Sequence, residues 1–187
     1  MNLDTLLDKC RQGDDLAWEA LVRRYQGRVF AVSMNYMRDR EEARDVAQDV
    51  FIKLYRKLET LHSGETFLPW LVRMTRNTAI DRIRRLKTRT PEESVSLDEG
   101  PEIAAPQPSP EQDSLRRWRT GLLHRALEGL SEQSREIILL KDIQELKLNE
   151  IAEMLALPLG TVKSRSHRAR LELAEAVQQL DTSSGAW

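Results

Sequence analysis

The chain has 187 residues, of which 40% are apolar and 32% are charged, and its formal net charge is −1. These values are ordinary for a soluble globular protein and allow one large domain or two small ones. No stretch approaches the roughly 18 consecutive apolar residues of a membrane span. The total charge gives no hint of a nucleic-acid partner, so any such hint must come from how the charge is distributed.

Cys10 is the only cysteine in the sequence, so no internal disulfide can form. The histidines, His62, His124 and His167, are scattered, and no other residues group around them as metal ligands. The start of the chain, MNLDTLLDKCRQGDD, is acidic and mixed, whereas a signal peptide has a basic and then an apolar run. We therefore expect a reduced, cytoplasmic protein with no metal, no cofactor and no membrane insertion of its own.

The first part of the chain, from about Leu3 to Leu86, is predicted to be helical. Its apolar residues recur at the i, i+3, i+4, i+7 spacing of a helix with one buried side. Three such stripes are present: Trp18, Leu21, Val22, Tyr25 and Val29; Val46, Val50, Phe51, Leu54 and Leu58; and Leu71, Met74, Ile80 and Ile83. Asp14 or Asp15 is the predicted N-cap of the first stripe. The polar run 62–66 predicts a loop between the second and third stripes.

The middle of the chain, residues 90–113, has a different composition. It holds five of the seven prolines, seven acidic residues and no lysine or arginine. Such a segment cannot bury enough apolar surface to offset the entropy lost on ordering it. We therefore predict a linker, extended by its prolines and by repulsion between its acids.

The third part, residues 114–180, is predicted to be helical again. Ser131 is the predicted N-cap of a helix that carries Ile137, Ile138 and Ile143. A short helix around residues 150–155 and a longer helix from about Thr161 are joined by a tight connection, which predicts a helix-turn-helix. Pro158 is a candidate for the first residue of the longer helix, because its missing N–H would be unpaired there anyway. Residues 181–187 are predicted to be a frayed tail.

Charge is concentrated in three segments. Seven basic residues and one acid lie between Arg73 and Arg89, and four basic residues and no acid lie between Thr161 and Arg170. One basic run alone is usually a solvated helix surface, but two runs in separate folded parts favour a nucleic-acid partner, because cations that neutralise phosphates release counterions. The third segment is acidic and consists of Asp39, Glu41, Glu42, Asp45 and Asp49. Acids near a helix start also favour the helix dipole, so this cluster alone does not indicate a function.

The second basic run has the pattern of a recognition helix. Lys163, Ser164, His167 and Arg168 share one side of the helix, and Val162, Ala169 and Leu173 take another. Arg, Lys and Ser in the first turns of such a helix can reach base edges in the major groove. Most of the aromatic residues lie on apolar stripes and are predicted to be core. Phe67 and Trp70 directly precede the first basic run, where aromatic side chains can also hold unstacked bases.

Three segments, in this order, resemble the extracytoplasmic-function sigma factors, which are small sigma subunits of RNA polymerase. The first is DVAQDVF at residues 45–51, followed by Lys53 and Tyr55. The second is FLPWLVRMTRNTAIDRIRR at residues 67–85. The third is EIA at residues 150–152, followed by GTVKSR at 160–165 and RAR at 168–170. The resemblance covers nearly the whole chain.

The resemblance implies an all-α protein of two small domains: sigma region 2, a helical bundle, at residues 1–89, and sigma region 4, a helix-turn-helix, at residues 114–180. It implies binding to core RNA polymerase, at the clamp of the largest subunit and at the flap, and to promoter DNA. It also implies control by an anti-sigma factor. No catalytic group is implied, because the polymerase carries out the chemistry.

The resemblance also assigns residues to each partner. The polymerase-binding residues would be Asp45, Gln48, Asp49, Phe51 and Lys53. The minus-ten DNA residues would be His62, Ser63, Gly64, Trp70, Arg73, Arg76, Asn77, Arg82, Arg84 and Arg85, with the loop 62–66 forming the wall of a pocket for a flipped-out base. The minus-thirty-five DNA residues would be Thr161, Lys163, Ser164, Arg165, His167 and Arg168.

Two positions depart from the family pattern. Ser131 stands where a proline often follows leucine, and Lys147 stands where a capping serine or threonine is usual. We expect the first helix of the helix-turn-helix to begin less firmly for that reason, by about 1 kcal/mol for a lost cap.

Two other classes of protein are alternatives. An ordinary helix-turn-helix regulator with a helical sensor domain would bind duplex DNA without polymerase, but it gives no reason for the DVAQDVF segment. An enzyme is disfavoured because the sequence shows neither a nucleophile–base pairing nor a phosphate-binding glycine loop. Co-purification with core polymerase distinguishes the sigma factor from both.

Overall fold

The structure, a computed structural model, describes residues 1–37, 39–61, 67–89 and 121–184, and within these ranges every regular element is a helix. The chain divides into two compact units between Glu102 and Ile103. The prediction of an all-α protein with two helical domains is confirmed. The predicted loop 62–66 and the predicted linker 90–113 lie outside the described residues. None of the helices in the described ranges is long and apolar enough to cross a membrane.

In the described part of the first unit lie four α-helices: α1 (Leu3–Arg11), α2 (Asp15–Met37), α3 (Arg40–Lys57) and α4 (Phe67–Arg89). A single 3₁₀ turn, Leu58–Thr60, follows α3. Helices α2, α3 and α4 pack against one another, and α1 packs on α2. Most residues of the predicted apolar stripes lie in this core, which includes Leu21, Tyr25, Val29, Val46, Val50, Leu54 and Leu71. Val22, Ile80 and Ile83 are only half-buried.

Aspartate caps set the starts of α2 and α3. The Asp14 carboxylate accepts a hydrogen bond from the Ala17 N–H at 3.0 Å, so Asp14 is the N-cap of α2 and Asp15 is its first residue. The Asp39 carboxylate accepts from the Glu42 N–H at 2.8 Å at the start of α3. Each carboxylate satisfies an N–H that has no partner within its helix and lies at the positive end of the helix dipole.

The second unit contains a helix over residues 121–129 (α5), then α6 (Glu132–Ile138), α7 (Leu148–Leu155) and α8 (Leu159–Ser184). Helices α6 and α7 both pack against α8. The Ser131 hydroxyl accepts from the Ser134 N–H at 3.1 Å, so the predicted cap of α6 is confirmed.

A π-helical turn, Leu139–Ile143, continues α6. The Gln144 N–H bonds to the Leu139 carbonyl, five residues back, at 2.8 Å. Ile137, Leu140 and Gln144 are buried, and they follow one another at i, i+3 and i+7, the spacing of one side of a helix. Ile143 lies off this side and is 43% exposed.

The turn between α7 and α8 confirms the predicted helix-turn-helix. Ala156 adopts a left-handed conformation, with φ at 52°, and the Leu157 N–H bonds to the Ala152 carbonyl at 2.9 Å. This pattern ends a helix sharply and is usually built on glycine. Helix α8 begins at Leu159, one residue after Pro158, whose carbonyl accepts from the Val162 N–H at 3.1 Å. Pro158 therefore lies at the N-cap position rather than inside the helix.

Half of a capping box is present at the start of α7. The Lys147 N–H donates to the Glu150 carboxylate at 2.7 Å. The reciprocal bond needs an acceptor on the side chain of residue 147, which lysine does not provide. The weaker start of α7 that the sequence predicted therefore comes from the loss of one capping hydrogen bond, while the other is kept.

We predict that Lys147→Ser stabilises the second unit, because serine supplies the missing acceptor for a backbone N–H of the first turn. The expected increase in the free energy of unfolding is about 0.5–1 kcal/mol. Urea denaturation of the full chain, with hydrogen exchange of the α7 amides, measures it. Lys147→Ala is the matched control, and equal stability of the two variants would contradict the prediction.

Candidate protein and nucleic-acid interfaces

One side of α3 faces solvent and combines acidic with apolar residues. Asp45, Gln48 and Asp49, which the sequence assigned to polymerase binding, are all exposed on this side. Ile52 and Tyr55 continue it at helical spacing and are 50% and 66% exposed. The α3 face, as we call these five residues, therefore presents two negative charges beside two large apolar side chains.

The residues assigned to polymerase binding from the sequence did not include Ile52 or Tyr55, although Tyr55 belongs to the first segment that resembles the family. Their exposure could have been deduced from the helical phase, since Ile52 lies seven residues after Asp45 and Tyr55 lies three residues after Ile52. The Tyr55 ring rests against the Trp18 ring of α2, with the ring centroids 4.9 Å apart and the planes at 47°. The indole N–H of Trp18 donates to the Cys10 carbonyl at 3.0 Å, which anchors this aromatic pair to the end of α1.

Two residues assigned to polymerase binding lie elsewhere. Phe51 is half-buried and packs against the core of the first unit. Lys53 is half-buried, and its amine donates to the Thr78 hydroxyl of α4 at 3.0 Å. Both side chains are therefore placed to join α3 to its neighbours rather than to extend the α3 face.

Helix α4 carries most of the residues assigned to minus-ten DNA. Arg73, Asn77 and Arg84 are exposed and share one side of the helix at i, i+4 and i+11, with Arg85 exposed beside them. The Arg84 guanidinium lies 3.8 Å from the Asp81 carboxylate. Helix α4 thus presents a largely basic outer side.

The other minus-ten residues are placed differently. Arg76 is half-buried, and so is Trp70, which packs on the core with its ring centroid 6.4 Å from that of Phe67. His62, Ser63 and Gly64 lie outside the described residues, so the predicted pocket for a flipped base stays a prediction.

Arg82, another basic residue of α4, directs its guanidinium toward α3. Its Nε donates to the Glu42 carboxylate at 2.7 Å, and its Nη2 donates to the Asp45 carboxylate at 3.0 Å. The hydrogen bond with Glu42, together with the charges of Glu42, Asp45 and Asp49, raises the pKa of Arg82 above its ordinary value, against the opposing effect of burial. A residue assigned to DNA is thus paired with one assigned to polymerase.

Helix α8 has the two-sided character predicted for a recognition helix. Val162 and Ala169 are fully buried, while Lys163, Ser164, His167 and Arg168 are exposed, and Thr161 and Arg165 are half-buried. Arg170 does not belong to the basic side. Its guanidinium makes two hydrogen bonds with the Asp142 carboxylate, which raise the pKa of Arg170 and tie α8 to the π turn.

Comparison with known proteins identifies both units. The family model for Sigma-70 region 2 matches residues 21–89, and the model for Sigma-70 region 4 matches residues 120–173. The two units thus define a transcription initiation factor of the sigma-70 class.

Individual relatives narrow the class. The RNA polymerase sigma-H factor of Pseudomonas aeruginosa is 32% identical over 180 residues, covering 94% of this chain and 93% of the relative. The ECF RNA polymerase sigma factor SigW of Bacillus subtilis is 30% identical over 185 residues, covering 96% of this chain and 99% of the relative. The sigma factor RpoE of Bartonella quintana, solved in complex with the anti-sigma factor NepR, shares the fold with a TM-score of 0.63 at 22% identity. The match covers 86% of this chain and 96% of the Bartonella chain.

The chain belongs to the extracytoplasmic-function sigma factors of RNA polymerase. The family resemblance stated from the sequence is confirmed. As a sigma factor, the protein binds core RNA polymerase and directs promoter-specific initiation of transcription.

We predict that the two aromatic residues of α3 contribute differently to stability. Phe51→Ala removes a ring that packs on the core and is expected to lower the free energy of unfolding by about 2–3 kcal/mol. Tyr55→Ala removes an exposed ring with one aromatic contact and is expected to cost about 1 kcal/mol or less. Urea denaturation measures both, and equal losses would contradict the placement of Phe51 against the core.

Proposed function

We propose that this sigma factor binds the polymerase clamp through the α3 face and binds promoter DNA through the outer sides of α4 and α8. The α3 face is the observation that carries the proposal, because it exposes Ile52 and Tyr55 beside Asp45 and Asp49 on a helix whose opposite side is fully packed. A regulator that binds only DNA has no use for such a surface.

The composition of the α3 face suits a protein partner. Large apolar and aromatic side chains gain most when a partner removes them from water, and they dominate the binding energy of many interfaces. Exposed carboxylates beside them steer a basic partner and fix its register. We therefore assign Ile52 and Tyr55 to the clamp contact, together with Asp45, Gln48 and Asp49.

The outer side of α4 is assigned to the minus-ten element. Arg73, Arg84 and Arg85 would neutralise phosphates, and Asn77 can pair with an adenine edge through its amide. Arg76 and Trp70 are half-buried, which supports a role in shaping the surface below the DNA. Opening the duplex costs a few kcal/mol per unstacked base, and the predicted pocket at His62, Ser63 and Gly64 would offset that cost by holding the extruded base.

The exposed side of α8 is assigned to the minus-thirty-five element. Lys163, Ser164, His167 and Arg168 are the side chains placed to reach base edges when the first turns of α8 enter the major groove. Thr161 and Arg165 flank them and would contact phosphates, which fix the register of the helix on the duplex.

The remaining assignments follow from this division of roles. The protein needs no catalytic group, because the polymerase forms the phosphodiester bonds, and it acts where the polymerase acts, in the cytoplasm. We assign the flap contact to the second unit. The Bartonella relative was solved with an anti-sigma factor, and we propose that a partner of that kind controls this chain by covering the α3 face and the DNA-binding sides.

Run-off transcription on a library of genomic fragments tests the proposal. Core polymerase with the purified chain is expected to start at defined sites that share a minus-ten and a minus-thirty-five element. Core polymerase that gains no start-site selectivity would refute the proposal. Tight binding of the chain to duplex promoters without polymerase would favour the helix-turn-helix regulator instead.

We predict that Asp49→Arg weakens binding to core polymerase by tenfold or more, about 1.4 kcal/mol, while the fold is retained. The physical reason is that a cation on the α3 face would meet the basic clamp with like charge. Fluorescence anisotropy with labelled chain measures the affinity. Asp8→Arg, an equal change of charge at an exposed site on α1, is the control, and equal losses in the two variants would argue against the assignment.

We predict that Arg168→Ala lowers initiation mainly through the upstream element, by roughly 1–3 kcal/mol if the guanidinium contacts a base. Arg125→Ala removes the same charge from an exposed position on α5 and serves as control. Promoters with native and altered minus-thirty-five elements are compared in run-off assays. Normal discrimination between them by Arg168→Ala would show that Arg168 does not read sequence.

A further inference from the structure

Arg82 occupies a distinct electrostatic environment on α4. Its side chain is 30% exposed, and it lies between the carboxylates of Glu42, 29% exposed, and Asp45, 58% exposed. Arg84, two residues on, is 77% exposed and lies 3.8 Å from its acid. A basic run that looks uniform in the sequence therefore contains one cation that is already engaged by two acids of another helix.

The contacts of Arg82 are part of a polar seam between α3 and α4. The Lys53 amine of α3 meets the Thr78 hydroxyl of α4 one helical turn away from Arg82. Since the α3 residue number rises from Asp45 to Lys53 as the α4 number falls from Arg82 to Thr78, the two helices run antiparallel along the seam. These cross-links attach the helix of the proposed polymerase contact to the helix of the proposed DNA contact.

The geometry favours a role for Arg82 in joining α4 to α3 over a role in contacting DNA. Its guanidinium presents a rigid fork of donors that suits carboxylates, and two donors are already used at 2.7 and 3.0 Å. A move toward a phosphate would leave Glu42 and Asp45 close together without the cation between them, and like charges repel. The raised pKa of Arg82 has the same origin, since both acids favour its charged form.

We propose that Arg82 is a positioning residue for polymerase binding, which holds the Asp45 carboxylate in place on the α3 face and does not contact DNA. Asp45 remains more than half exposed while Arg82 holds one of its oxygens, so the carboxylate is still open to a cation of the partner. Because the Asp45 side chain is already oriented, polymerase binding loses less side-chain entropy than it would with a mobile carboxylate. This inference rests on the proposed role of the α3 face.

The first experiment replaces the Arg82 guanidinium with an amine, which keeps the positive charge but loses the paired N–H donors. Arg82→Lys is expected to weaken core-polymerase binding about threefold, the scale of one partly exposed ion pair. In an Asp45→Asn background the same substitution is expected to have no further effect, because no carboxylate remains to be positioned. A purely structural role would give the same loss in both backgrounds, and such a result would overturn the proposal, as would wild-type affinity in Arg82→Lys.

The second experiment tests whether Arg82 contacts DNA. Promoter binding by holoenzyme, formed with saturating sigma factor, is measured against salt concentration. Arg85→Gln is expected to reduce the slope of log affinity against log salt by about 0.7–0.9, the value for one lost phosphate contact. Arg82→Gln is expected to leave that slope unchanged. A reduction equal to that of Arg85→Gln would assign Arg82 to DNA and overturn the proposal.

The wild-type protein separates this inference from the function on which it rests. Wild-type chain that binds core polymerase and selects start sites supports the proposed function, whatever the Arg82 variants do. Absence of core binding by the wild-type chain would refute the proposed function and the positioning role with it.

Discussion

The rotation of α3 about its own axis is the constraint on which both proposed surfaces of the first unit depend. Val46, Val50 and Leu54 have no exposed surface, and burying each such side chain contributes about 1.5–3 kcal/mol. Turning α3 by one residue would expose this stripe and bury acids in its place. The packing against α2 and α4 therefore decides which side chains a partner can reach, and it selects Asp45, Asp49 and Ile52 without any contribution from the partner.

The same constraint operates in the second unit with a different result. Val162 and Ala169 lie seven residues apart and are fully buried, which fixes the rotation of α8. The residues between and beside them carry positive charge and hydroxyl groups instead of acids. The same packing principle thus presents a surface suited to a protein partner on α3 and a surface suited to DNA on α8, and only the outward residues differ.

The sequence was sufficient for the fold because the fold depends on local spacing. The apolar stripes, the Asp14 and Ser131 caps and the helix-turn-helix are all set within a few turns of helix. The π turn at Leu139–Ile143 is a limit of this reasoning, because composition does not reveal the extra residue in such a turn. Composition also does not show that Phe51 packs against the core, because Phe51, Ile52 and Tyr55 are all large and apolar. Only their helical phase distinguishes the residue packed on the core from the two exposed ones.

The role of Arg82 shows a further limit of sequence reasoning. The residues that hold it lie 37 and 40 positions away, so neither local charge density nor helical spacing reveals the pairing. Asp45 is a member of the α3 face and also a partner of Arg82, which links the α3 face to α4. Because linked residues do not contribute additively, a loss of transcription on substituting a basic residue of α4 does not by itself identify a DNA contact. Varying the residue's partner on α3 at the same time measures the coupling between the two substitutions. Together with the salt dependence of promoter binding, that coupling distinguishes a cation that binds DNA from one that positions the polymerase-binding side.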